Sequence, residues 1–160
     1  MIDTYHESFK KRWHESHKAV EKVAAWLVYK GIETKILPQH LTPDAASRMD
    51  YVDNGDIEVV LEGQRKIIEV KGRGLKYKNG MFPFEMVFIC NAPSFDRANP
   101  KPSYYFMLDS ALEIAAILNV DKYRQNMFTG EISDNKRTEK FIGYKVDRRY
   151  LSYRLLTIPR

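Results

Sequence analysis

Gly55-Asp56-Ile57-Glu58-Val59-Val60-Leu61-Glu62-Gly63-Gln64-Arg65-Lys66-Ile67-Ile68-Glu69-Val70-Lys71-Gly72-Arg73 is the stretch that decides the fold. Ile57 to Leu61 and Ile67 to Lys71 are two short runs rich in β-branched residues. Glu62-Gly63-Gln64 between them is a turn signal, so residues 56–71 predict a β-hairpin. Along a strand, side chains i and i+2 share a face. Glu69 and Lys71 therefore project together, with Ile68 and Val70 on the other face. Asp56 opens the first strand, and closing the hairpin brings that end beside the end of the second. Asp56, Glu69 and Lys71 can thus meet at one corner of a sheet.

Outward from the hairpin, residues 5–30 predict one long helix. Phe9, Trp13, Val20, Val23, Ala24 and Leu27 recur near i+3 and i+4, and Gly31 suits its end. His14 and His17 on that helix stand among Lys10, Lys11, Arg12 and Lys18 and read as a solvated face. Ile32 to Leu37 alternates as a short strand, and residues 38–55, with Pro38, Pro43 and Asn54-Gly55, read as irregular. After the hairpin, residues 84–90 and 103–108 predict strands, and residues 91–102, with three prolines, a loop. Asp109 or Ser110 is expected to cap a helix running to Leu118. The tail, residues 141–158, suggests one or two further strands. The order of elements describes a single mixed α/β (α+β) domain over residues 1–160.

Composition bounds the function. A chain of 160 residues has room for a self-sufficient core, and its 44% hydrophobic and 29% charged residues exclude collagenous, low-complexity and membrane classes. One cysteine, Cys90, excludes an internal disulfide and a cysteine-based zinc cluster, and reads as a small buried hydrophobe. No secretory signal pattern opens the sequence, so a cytoplasmic location, in a prokaryote or a virus-infected cell, is expected. The net charge of +5 permits a nucleic-acid partner without identifying one.

Two carboxylates and an ammonium at a strand end have a chemical meaning. Paired carboxylates are hard oxygen ligands for Mg²⁺, which keeps waters and takes phosphate oxygens. The metal acidifies a bound water and clamps a phosphate, and a lysine can orient that water or offset charge in the transition state. The backbone carbonyl of Val70 would complete such a shell. The competing reading is a solvated hairpin, with Asp56, Glu58 and Glu62 set against Lys66, Glu69 and Lys71 as ordinary cross-strand charges.

Asp56 followed thirteen residues later by Glu69-Val70-Lys71 resembles the PD-(D/E)XK nuclease superfamily, the restriction-endonuclease-like fold. The resemblance spans about residues 15–118. It implies a mixed central β-sheet flanked by helices, with a long N-terminal helix. The family often places a further acid on its first helix. Here that is Glu21, on a stripe with Ala24, Ala25 and Val28. Gly55 stands where the family has proline. The Ala19-Val20-Glu21-Lys22 helix and the Ile68-Glu69-Val70-Lys71 strand are similar to those of archaeal Holliday-junction resolvases.

The resemblance implies a DNA nuclease dependent on Mg²⁺ or Mn²⁺, structure-selective or of the phage or mobile-element kind. Glu21, Asp56, Glu69 and Lys71 would be catalytic, with Asp56, Glu69, Glu21 and Val70 around the metal. Gln39, Arg48, Arg73, Lys76 and Lys78 are candidate phosphate contacts, and a homodimer is a permitted assembly. The alternatives are a non-catalytic nucleic-acid-binding or assembly protein on the same fold, and an enzyme acting on RNA.

Overall fold

The computed structural model describes residues 4–38, 55–133 and 140–159, with side chains of the first helix described at residue 11 and from residue 14 onward. Phe9, Trp13, Gln39, Arg48 and nearly all of the expected irregular stretch 38–55 lie outside the described residues or side chains. Helix α1, Thr4–Tyr29, is followed by strands β1, Glu33–Ile36, β2, Ile57–Leu61, and β3, Gln64–Gly72. Strand β4, Met86–Asn91, leads into helix α2, Ala92–Arg97. Strands β5, Tyr104–Leu108, and β6, Ile114–Asn119, then lead into helix α3, Val120–Tyr123. Strands β7, Phe128–Ile132, β8, Phe141–Asp147, and β9, Leu151–Leu155, complete the chain.

The protein is therefore a mixed α+β fold built on two sheets. A six-stranded sheet has the order β1-β2-β3-β5-β6-β9, in which β3 and β5 run parallel and every other neighbouring pair is antiparallel. A three-stranded antiparallel sheet has the order β4-β8-β7. One core lies under α1, where Val20, Val23, Ala24, Trp26 and Leu27 pack on Ile57, Val59, Ile68, Val70 and Phe106. The other lies between the sheets, where Val87, Ile89 and Val146 meet Tyr105, Met107, Ala116 and Leu118. The main sheet is thus covered by a helix on one face and by a second sheet carrying α2 on the other. Of the helices expected to flank the central sheet, α1 covers one face, and the other face carries the second sheet with α2.

Helix α1 ends as its sequence predicts. Gly31, at φ +81°, lets its own amide reach Val28 O at 2.9 Å and the Ile32 amide reach Leu27 O at 3.0 Å. This closes the last turn through a left-handed residue that only glycine adopts freely. The β2–β3 hairpin turns on Glu62 and Gly63, both at positive φ. A two-residue turn of that hand matches the twist of the flanking strands.

Two expectations are corrected. The helix expected from Asp109 or Ser110 to Leu118 is strand β6. Ala115 and Ile117 enter one core, and Ala116 and Leu118 the other. A strand buried on both faces is apolar throughout, so its pattern does not separate it from a helix. Asp109 shapes the β5–β6 turn instead, its Oδ1 accepting from the Glu113 and Ile114 amides at 2.9 and 3.1 Å. Residues 91–102, expected as a loop, hold α2. Asn91 Oδ1 accepts from the Ser94 amide at 3.2 Å, and Pro93 sits in the first helical turn, where its missing N–H costs nothing.

Candidate functional site

The site is built where β2 begins and β3 ends. Ile57 stands opposite Ile68, and the Asp56 amide donates to Ile68 O at 3.2 Å. Beyond that point β2 no longer lines β3, and the Asp56 side chain takes over. Its Oδ2 accepts the Val70 amide at 2.7 Å. A carboxylate thereby occupies a ladder position that a backbone carbonyl would otherwise fill. A strand residue's N–H and C=O leave along the same edge. The Val70 carbonyl therefore leaves β3 on the Asp56 side.

Gly55 explains the local path. It is buried at φ +101°, and a Cβ added there would collide with Ile67 Cγ2. Proline is fixed near −65° and could not stand there without re-routing the chain. Gly55 thus gives β2 an entry that a proline at this position could not give.

Val70 and Ile68 belong to the core under α1, so the flanking Glu69 and Lys71 leave β3 on the opposite face, toward the second sheet. Glu69 stands opposite Tyr105 and Lys71 opposite Met107 on β5. Both β3 side chains are half-buried. Tyr105 and Cys90 join this neighbourhood. Burial pushes the Cys90 thiol up, a hydrogen bond with Tyr105 and the charges of Lys71 and Arg73 pull against it, and the charge of Glu69 adds to the rise. Burial likewise pushes the Tyr105 hydroxyl well above its ordinary range, with Cys90 and the Glu69 charge adding to the effect. Neither residue was singled out by sequence for this site, because the β3–β5 and β3–β4 neighbourhoods are long-range.

Two other charged residues of the hairpin, Arg65 and Lys66, form ordinary ion pairs. Arg65 reaches Glu58 at 3.5 Å, and Lys66 reaches Asp121 at 2.7 Å. Asp56 differs from them in being bound to the strand backbone.

The structure does not bring Glu21 to Asp56 and Glu69. Glu21 is 61% exposed and pairs with His17 Nε2 at 3.2 Å, one turn back on α1. Helix α1 covers the face that Glu69 and Lys71 leave behind. Among the described residues, no three His, Cys, Asp or Glu side chains gather as a metal-holding group. Cys90 is buried, as its sequence surroundings predict.

Of the expected phosphate contacts, Lys76 and Lys78 are exposed on the stretch after β3, whereas Arg73 turns inward. Its Nη2 donates to Phe88 O at 2.7 Å and Ile89 O at 2.8 Å, its guanidinium lies over the Phe88 ring at 5.2 Å, and its Nε is shut off from solvent. Burial pushes this guanidinium below its ordinary range. Arg73 ties the end of β3 to β4, and its donors are not directed to a phosphate. The Arg73 and Ser110 amides bond to Leu108 O and Leu75 O and hold this stretch to the β5–β6 turn.

No family model, curated protein or solved structure matches the chain. No helix among the described residues is long and apolar enough to cross a membrane.

Proposed function

We propose that this chain is a metal-dependent nuclease of the restriction-endonuclease-like kind, hydrolysing phosphodiester bonds of DNA through Asp56, Glu69 and Lys71. The observation that carries the reading is the 2.7 Å bond from the Val70 amide to Asp56 Oδ2. It fixes one carboxylate beside the strand segment that carries the second carboxylate and the lysine. The sequence of a helix, an edge strand, the hairpin, and then a strand parallel to β3 supports the fold assignment.

In this reading Asp56, Glu69 and the Val70 carbonyl supply hard oxygen ligands for Mg²⁺ or Mn²⁺. When bound, the ion would acidify a water and neutralise phosphate charge. Lys71 shares the strand face of Glu69, two residues on, and orients the water or meets a non-bridging phosphate oxygen. The Val70 amide holds the Asp56 carboxylate in place at the edge of β3. Glu21 has no part in this set.

A non-catalytic nucleic-acid-binding protein is the second reading, and the exposed, His17-paired Glu21 is the observation that favours it. Incubation with plasmid, linear duplex, single-stranded DNA, four-way junctions and RNA, with Mg²⁺, Mn²⁺ or EDTA, separates the two. Cutting in either metal and none in EDTA is expected. DNA binding without cutting of any substrate would favour the second reading.

A further inference from the structure

The other end of the main sheet carries a cluster that the proposed chemistry does not use. Tyr123, at the end of α3, and Tyr150, in the short turn before β9, lie 5.1 Å apart between ring centres. Lys122 Nζ sits 5.2 Å over the Tyr123 ring, and Arg149 Cζ 4.9 Å over the Tyr150 ring. The Tyr150 hydroxyl accepts from Arg149 Nη2 at 3.0 Å and from Asn126 Nδ2 at 3.1 Å. Arg124, next in the chain, lies 5.7 Å over Phe95.

Lys122, Arg124 and Arg149 are all exposed, and none forms a salt bridge with a described carboxylate. The acids nearest in sequence already have partners. Asp121 takes Lys66, and Asp147 Oδ1 accepts the Arg149 amide at 2.9 Å. Asn119 Oδ1 accepts the Lys122 amide at 3.1 Å and fixes the turn that carries it. Three cations are thus held on a half-buried aromatic base, with part of their ordering cost met before any ligand arrives.

We propose that Lys122, Arg124 and Arg149 form a second nucleic-acid contact surface, which grips the phosphate backbone of a duplex away from the cutting site. The inference rests on the reading that this protein works on nucleic acid. Each tyrosine already has a cation over it and the other ring beside it, so the cluster offers charge rather than open platforms for unpaired bases. Its distance from the site follows from the ladder. The Lys66–Asp121 bond sets α3 level with Lys66, five residues before Lys71, or about 17 Å along the strand. A ligand touching both would follow the length of the sheet over about five base pairs, at ~3.4 Å each.

The test needs neither metal nor cutting. Binding of a fluorescent 24-base-pair DNA duplex is measured in EDTA across a salt series. The parent is compared with a variant carrying Lys122→Ser, Arg124→Ser and Arg149→Ser, and with one carrying Lys122→Arg, Arg124→Lys and Arg149→Lys. Three lost phosphate contacts should lower the log–log salt slope by about 2.7 and weaken binding about tenfold or more at ordinary salt. The charge-preserving variant should keep the parent's slope, and all three proteins should melt alike. Binding is read in EDTA, so a protein that cuts nothing can still show this change of slope, and failure of the nuclease reading stays distinguishable from failure of this one. An unchanged slope in the serine variant would overturn the proposal. So would a parent that binds no duplex, or one that binds phosphatidylserine vesicles and not duplex.

Discussion

Asp56 does two things that a substitution can separate. Its Oδ2 replaces a ladder carbonyl for the Val70 amide, and its negative charge offers a seat for a cation. An asparagine keeps an oxygen acceptor for the amide and loses the charge. Asp56→Asn should therefore fold, while the rise in melting temperature that Mg²⁺ gives the parent disappears, since a ligand stabilises only the state that binds it. A parent indifferent to Mg²⁺ in thermal melts, or a variant that keeps the full rise, would remove Asp56 from the metal site. Gly55 beside it is constrained by its own φ and by the Ile67 side chain. Gly55→Ala must hold a Cβ at φ +101° and against Ile67 Cγ2, so it should cost about 2 kcal/mol or more in a denaturant titration. A loss under half that would mean the entry to β2 relaxes freely.

The elements show how a side chain can join two sheets. Arg73 carries β3's end to β4 through Phe88 O and Ile89 O. Arg73→Ala would leave two enclosed carbonyls without this donor, for a loss of about 2–4 kcal/mol in chemical unfolding. A change within half a kcal/mol would return Arg73 to the surface. The hairpin, the glycine-closed helix and the strand at 103–108 were legible in the sequence because each depends on local periods and turn residues. Strand β6 was not, since Ile114 to Leu118 is apolar on both faces and has no period to read. Arg73 was misplaced for a related reason. Its neighbours Gly72 and Gly74 describe a turn, but its acceptors lie fifteen and sixteen residues away. At the site, Glu69 and Lys71 follow from strand alternation, whereas the separation of Glu21 depends on which face α1 covers, a long-range fact.

At the scale of the whole molecule, α1 and the second sheet each bury one face of the main sheet, and the proposed chemistry sits at the end of β3, beside the second sheet. The basic cluster at α3 lies at the opposite end of the sheet from that site. The central claim is that Asp56, Glu69 and Lys71 act together on a phosphodiester. It is tested most directly by timing plasmid cleavage in Mg²⁺ for the parent and for Lys71→Ala, each checked for folding by its melting curve. Lys71 is a half-buried side chain at a strand end, so its removal should leave melting nearly unchanged. Cleavage by the variant should fall by about two to three orders of magnitude, as when a positioned charge is taken from a transition state. A folded variant that cuts as fast as the parent, or a parent that cuts nothing in Mg²⁺, would contradict the account.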